Sequence, residues 1–281
     1  MSMLKVAVPN KGILADHSTA MLAEAGYAVR KDSKTLRVLD SRNNIEFFYL
    51  RPRDIATYVG TGALDAGITG LDLLMDSRSK AVRIADLNFG QSRFTFAGVI
   101  GEFDSIEQIA GKRVATAYPN IVSDYLEQKN IMATVIALDG AVETAVSLGV
   151  ADLIADVVSS GNTLRQAGLE AFGEVIVESS AFLIANSSSS DKHASLLRRL
   201  QGVIVAREYV IFDYDCPTDL IDQASAITPG IESPTISPTK DPNWLAVRAL
   251  VLSQETNAKM DELYNIGARA ILVSAIHAAR I

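Results

Sequence analysis

The chain reads as an α/β protein in which two similar lobes face one cleft and a smaller βαββαβ module of ferredoxin-like order follows. Three observations carry that reading. First, two motifs occur twice in the same order: Lys5-Val6-Ala7 runs on to Pro9-Asn10 as Arg113-Val114-Ala115 runs on to Pro119-Asn120. Likewise Gly62-Ala63-Leu64-Asp65 precedes the apolar Ala66 to Ile68 as Gly149-Val150-Ala151-Asp152 precedes Leu153 and Ile154. Second, the pattern resets after Gly202 into strand, helix, two strands, helix and strand. Third, Asp156 sits inside the buried-strand run Leu153 to Val158, and the hydroxyl-rich turn Ser159-Ser160-Gly161-Asn162-Thr163 follows at once. Polar groups are thereby placed at a strand's carboxyl end, the edge where open α/β sheets bind ligands.

Taken in order, Leu4 to Val8 is a buried strand, and Pro9-Asn10-Lys11-Gly12 turns it into a helix from about Ile13 to Ala25, stopped by Gly26. Lys11 therefore stands at a strand's carboxyl end, where its ammonium could reach a phosphate or lie solvated in a turn. Leu36 to Asp40 and Ile45 to Leu50 are strands joined by the turn Ser41 to Asn44. Arg51 and Arg53 flank Pro52 where extended chain gives way to helix, a place for guanidinium to pair with phosphate oxygens or to sit in water. Glu143 to Gly149 reads as an apolar helix ending at the glycine, with Glu143 favourable to the dipole of its first turn. The turn at 159–163 has two readings. It is an anion nest in which Gly161 lets the backbone approach and Ser159, Ser160 and Thr163 add donors, or Ser160 or Asn162 caps a helix starting near Thr163.

The polar run Asn186 to Lys192 is a surface loop before a helix from Ala194 to Gln201. Beyond Gly202, Val203 to Tyr214 is β-rich and Thr218 to Ala226 helical. Pro234 to Ile236 and Trp244 to Leu252 are strands, Thr256 to Ile266 is a helix stopped by Gly267, and Arg269 to Ile276 is the last strand. The domains expected are residues 1–89 with 180–200, residues 90–179, and residues 201–281, with Gly90 to Arg93 as one hinge crossing.

Composition narrows the function classes. A net charge of -7 argues against general nucleic-acid binding. A polyphosphate ligand would then need basic residues gathered in the cleft or a bound divalent cation, because local potential governs a site. The single cysteine, Cys216, excludes an internal disulfide and a thiolate metal cluster and suits a reducing, cytoplasmic setting. No secretory signal and no membrane-spanning window is evident. There is no G-x-x-x-x-G-K-[ST], G-x-G-x-x-G or H-E-x-x-H, and His17, His193 and His277 fall in separate elements.

The stretch Glu143 to Leu164, through Gly149, Ala151, Ile154, Asp156, Val157, Ser160, Gly161 and Thr163, resembles the signature of the ATP phosphoribosyltransferase family. Pro9 to Gly12, Leu50 to Ile55, Gly67 to Leu74 and Thr116 to Asn120 resemble it too, so the likeness covers essentially the whole chain. It implies periplasmic-binding-protein-like lobes that join N1 of the ATP adenine to C1 of phosphoribosyl pyrophosphate, opening histidine biosynthesis. The turn Ser159 to Thr163 with Val157 would hold the 5-phosphate, and Asp156 and Glu143 would approach ribose hydroxyls or Mg²⁺ carried mainly by substrate. Lys11 and Arg51 would offset pyrophosphate charge, Tyr118 would stack on adenine or pack on its own lobe, and Asp72 would make an ATP-side contact.

The family's long form carries an ACT-like module that binds histidine as feedback inhibitor, and residues 201–281 stand in its place. Asp215, Ser233 and Thr235 are reasonable suppliers of contacts to a free amino acid, or strand and turn caps. Leu250 and Ala270 correspond to lining positions by resemblance only. The resemblance also implies a homo-oligomer, dimer and hexamer, without a synthetase-like partner subunit. Two other readings stand beside it. A prephenate dehydratase is suggested by the loose similarity of Glu232-Ser233-Pro234 and Ser92-Arg93-Phe94 to that family, and a small-anion-binding protein without turnover is suggested by the two lobes and cleft.

Overall fold

The computed structural model describes residues 3–158, 161–187 and 191–280, which fall into two compact units, residues 1–197 and 198–281. The first unit opens with β1 (Leu4–Pro9), α1 (Gly12–Glu24), β2 (Arg37–Asp40), β3 (Ile45–Leu50), α2 (Pro52–Gly60), β4 (Ala66–Gly70), α3 (Leu71–Ser77) and β5 (Ala81–Asp86). It continues with β6 (Ser92–Val99), β7 (Arg113–Thr116), α4 (Pro119–Gln128), β8 (Thr134–Ala137), β9 (Leu153–Val158), α5 (Asn162–Gln166), β10 (Leu169–Ser179) and β11 (Ala181–Asn186). The helix α6 (Ala194–Glu208) follows.

These strands make two sheets, in the orders β2-β3-β1-β4-β11-β5 and β10-β6-β9-β7-β8. In each, three adjacent strands run parallel, β3-β1-β4 and β8-β7-β9. A strand from beyond a crossing then pairs antiparallel with the third, β11 with β4 and β6 with β9. The central strands are apolar on both faces, as strands covered on both sides must be; Val6, Ala7 and Val8 are fully buried, as are Val114 and Ala115.

The repeat read in the sequence has a structural counterpart. Asp65 accepts the backbone N–H of Lys5 at 2.9 Å, and Asp152 accepts that of Arg113 at 2.7 Å. Each aspartate's own N–H returns a bond to the same residue's carbonyl, 2.9 Å in both cases. Register follows identically, Val6 opposite Ala66 and Val114 opposite Leu153.

The chain passes between the sheets twice, at residues 87–91 and at Ser180. The crossings are hydrogen-bonded to each other, since Leu87 N–H donates to Ala181 O and Ala181 N–H donates to Phe89 O, both at 2.9 Å. Gly90 is required there on two counts: its φ is +69°, and a Cβ would lie 2.9 Å from Leu14 Cδ2. Phe94 and Phe96 on β6 are fully buried in the second lobe's core, each contributing roughly 2–3 kcal/mol by removal from water.

The second unit contains β12 (Tyr209–Pro217), α7 (Ile221–Ile227), β13 (Thr235–Pro238), β14 (Trp244–Leu252), α8 (Thr256–Ile266) and β15 (Arg269–Ala275). Its antiparallel sheet has the order β13-β14-β12-β15, the ferredoxin-like arrangement. Phe212, Tyr214, Cys216, Val247 and Val251 alternate onto the face that packs with Ala224 of α7 and Leu263 of α8. The opposite face carries Asp213, Asp215, Ala246, Arg248 and Leu250.

Two local expectations are corrected. Gly202 does not end a helix; α6 continues to Glu208 and β12 starts only at Tyr209. A Cβ on Gly202 would lie 2.1 Å from the Ala279 carbonyl oxygen, so the glycine serves a close backbone approach, and the β-branched run after it follows the helix despite its weak propensity. Glu143 to Gly149 is not an α-helix. A 3₁₀ turn at Val142–Thr144 and further turns stand there, because seven residues that include β-branched Thr144 and Val146 and end in glycine cannot repay helix nucleation.

Candidate active-site cleft

A cavity of about 800 Å³ opens between the two lobes of the first unit, and every parallel strand delivers its carboxyl end to it. Lys11 follows β1, Arg51 follows β3, Gly70 ends β4, Ala117 follows β7, Asp139 follows β8, and Asp156 with Val157 closes β9. A hollow of about 860 Å³ also exists beside the crossings, lined by Arg93, Asp86 and Glu178 among others. Its walls are antiparallel strands rather than the carboxyl ends of parallel ones, so the cleft is the better ligand site despite similar volume.

Lys11 and Arg51 occupy equivalent positions. Each is the last extended residue before a helix, at the N-cap of α1 and α2, and neither side chain caps its own helix. β1 and β3 are neighbours with Pro9 opposite Leu50, so the two cations stand side by side at one edge, exposed to the cleft. The helix N-termini behind them add favourable dipole for an anion.

The cleft also gathers acidic groups from both lobes. Asp72, in the first turn of α3, is buried and accepts the Ser179 hydroxyl at 2.8 Å, while that oxygen accepts the Asp72 backbone N–H at 3.1 Å. Gly70 makes this possible, because a Cβ there would lie 2.2 Å from Asp72 Oδ1. Asp156 accepts the Val157 N–H at 2.7 Å. Burial pushes its carboxyl above the ordinary range, and the carboxylates of Glu143 and Asp72 push in the same direction. Tyr118 packs its edge on Phe94 at 5.2 Å between centroids and carries Arg53 over its ring at 5.2 Å. Burial, with Asp72 beside it, holds its phenol protonated well above the usual tyrosine value.

A smaller cavity of about 120 Å³ adjoins, sharing Asp156 and Val157 with the cleft and lined also by Glu143, Gly161 and Thr163. Gly161 is the N-cap of α5 with φ +70°. Asn162 and Thr163 open that helix and are exposed. Ser159 and Ser160 lie outside the described residues.

The structure also brings forward residues that sequence reasoning passed over. Ser179 orients Asp72 from 107 positions away, a pairing with no local signal. Asp139 lines the cleft after β8. Arg53, read in the sequence beside Arg51 as a phosphate partner or a solvated side chain, faces the cleft and pairs with the buried Asp76 at 3.4 Å. Among the described residues, no cluster of three or more His, Cys, Asp or Glu side chains is arranged to hold a metal ion.

In the second unit, a depression of about 440 Å³ on the open sheet face is lined by Asp215, Thr235, Ala270, Ser237 and the Asp213–Arg248 ion pair, among others. Ala270 has φ +50°, a strained value for a residue with a Cβ. Leu250 lies on β14 two residues beyond Arg248, and Ser233 precedes β13.

The chain is similar to known proteins over both units. The family described as ATP phosphoribosyltransferase matches residues 51–204, and the one described as HisG, C-terminal domain, matches residues 206–278. A protein named ATP phosphoribosyltransferase from Paenarthrobacter aurescens is 55% identical over 286 aligned residues, covering 99% of this chain and 100% of the relative. One of the same name from Salinispora tropica is 54% identical over 281 residues with the same coverage. Among solved structures, a chain of the ATP phosphoribosyl transferase (HisG:HisZ) complex from Thermotoga maritima aligns with TM-score 0.63 at 30% identity, covering 72% of this chain and 98% of that one. A putative L-cystine ABC transporter from Listeria monocytogenes shares the two-lobed fold alone, with TM-score 0.52 at 12% identity over 73% of this chain and 91% of its own. With a full-length likeness at this identity and family matches on both units, the chain belongs to the ATP phosphoribosyltransferase family.

Proposed function

We propose that the cleft binds ATP and phosphoribosyl pyrophosphate together and catalyses the first step of histidine biosynthesis. A bond forms between N1 of the adenine and C1 of the ribose, while the C1–oxygen bond to pyrophosphate breaks and its electrons leave with pyrophosphate. No covalent nucleophile is needed. The chain must hold both substrates in line, offset charge on the leaving group and stabilise the electron-poor ribose. The observation that carries the reading is that Lys11, Arg51 and Asp72 of the first lobe and Asp156 of the second line one cavity.

Lys11 and Arg51 face the pyrophosphate as point and fork donors. Asp156, whose carboxyl is raised by burial, accepts the ribose hydroxyls, and Glu143 in the adjoining cavity supports it. The turn at 159–163, with Val157 before it, holds the 5-phosphate. Asp72, fixed by Ser179, faces the ATP side beside Tyr118. Among the described residues no three His, Cys, Asp or Glu side chains are arranged to hold an ion, a donor set that suits Mg²⁺ carried on substrate phosphates with at most Asp156 or Glu143 as protein ligand. When bound, the ion would neutralise developing pyrophosphate charge.

The second unit is read as the histidine-binding module. Asp215 and Thr235 on its open face would take the ammonium and carboxylate of the free amino acid, with Ser233, Leu250 and Ala270 around them. The Thermotoga chain is covered to 98% by only 72% of this one, which supports reading residues 198–281 as an added regulatory module. The chain would then work as a cytoplasmic homo-oligomer, dimer and hexamer, without a second kind of subunit. Among the described residues no helix is long and apolar enough to cross a membrane. Replacing Lys11 by Ala tests the cleft assignment: we expect turnover to fall about a hundredfold, measured as pyrophosphate release, and unaltered turnover would remove Lys11 from the site.

A further inference from the structure

We propose that Asp76 is a positioning residue for the nucleotide half of the cleft, capping helix α4 of the second lobe from the first and fixing Arg53 and Tyr118 as one flat wall against the adenine. The proposal rests on the assignment of the cleft to ATP given above.

The N-terminus of α4 cannot satisfy itself. Its N-cap residue is Tyr118, which makes no side-chain cap bond, and Pro119 follows. The N–H groups of Asn120 and Ile121 are thus left without partners in their own lobe. Asp76 supplies them from the first lobe, its Oδ1 accepting the Asn120 N–H at 2.9 Å and the Ile121 N–H at 3.3 Å. Asn120 returns the connection, donating its side-chain amide to the Asp76 carbonyl oxygen at 2.7 Å.

Asp76 is only 7% exposed, and a carboxylate at that depth is costly unless its oxygens are occupied. The second oxygen is occupied by Arg53, at 3.4 Å from Nη1. That guanidinium lies over the Tyr118 ring, which also packs in an edge contact with Phe94. One carboxylate therefore sets both the backbone that places Tyr118 and the cation that covers it. A planar cation on a planar ring gives a rigid surface for a flat base, with positive charge left at its rim for a neighbouring phosphate.

A tie between lobes that merely stabilises the fold would lower the melting temperature and treat both substrates alike. Positioning predicts a split. Asp76→Asn keeps an oxygen for the α4 N–H groups but loses the charge that holds Arg53, while Arg53→Met keeps the cap and removes the wall. Each should raise KM for ATP about tenfold while changing KM for phosphoribosyl pyrophosphate by less than about twofold. The double variant should lose no more than about the larger single loss, because both act through one pair. Equal losses for both substrates, additive losses, or unchanged ATP KM in Arg53→Met would overturn the proposal. If Asp76→Asn does not fold, Arg53→Met decides alone. Calorimetric titration of ATP into wild type and both variants separates the two levels of inference. Wild type that binds ATP, loses it about tenfold in the variants and yet never turns over would sink the transferase assignment and keep the wall. Wild type that turns over while variant and wild-type affinities match would do the reverse.

Discussion

At the scale of single residues, Asp156 carries opposing demands. Burial raises its carboxyl, so folding disfavours the ionised form that the chemistry uses. The sign follows from linkage: stability tied to this group is full below the unfolded value near 3.8 and is lost as pH rises through the higher folded value. Asp156→Asn should therefore abolish measurable turnover yet leave the chain more stable than wild type at pH 7, with the gap closing as pH falls toward 4. Urea unfolding at the two pH values checks it, and a less stable variant at pH 7 would contradict it. Asp156, Lys11 and Arg51 were legible in the sequence because strand ends announce themselves through apolar runs broken by Pro, Gly or hydroxyl residues. Ser179 and Asp76 were not. Their partners, Asp72 and the α4 N-terminus, lie 107 and about 44 positions away, and no local pattern encodes a hydrogen bond across two lobes.

At the scale of elements, the two lobes share a lock between an aspartate and a residue at the start of a parallel strand, Lys5 in β1 and Arg113 in β7. In the second lobe Asp152 also takes the Arg113 guanidinium at 2.8 Å, and those bonds pull its carboxyl down to about 2. A depressed carboxyl stabilises above its unfolded value and loses that contribution as pH falls through the folded one. Asp152→Asn should cost about 1 kcal/mol at pH 7, a figure held low because the pair is partly solvated, and the difference from wild type should shrink as pH drops from about 4 toward 2. Denaturant titration across that range checks it. Helix and strand limits such as those of β3, β14 and α8 could be read from periodicity and from Gly267. Gly202 could not, because a glycine admitting the Ala279 carbonyl looks the same in sequence as a helix stop. Gly202→Ala is expected to destabilise by about 2 kcal/mol or more through that clash, seen as a lower melting temperature.

At the scale of the whole molecule, an acidic chain meets two polyphosphate substrates with Lys11, Arg51 and Arg53 at strand ends that open into one cleft. The duplicated order of sheet strands supplies two such edges. The separate second unit supplies an open sheet face with paired charges, and inhibition by histidine would require that it favour one of two global states over the other. Asp215→Ala should raise the histidine concentration for half-inhibition about tenfold; an unchanged value would move the effector site elsewhere. The central claim is tested most directly by pyrophosphate release from the full chain with Mg²⁺, given ATP, phosphoribosyl pyrophosphate, or both. Release only when both are present, falling when histidine is added, is the result predicted. Release with either substrate alone, or none with both in folded protein, would contradict it.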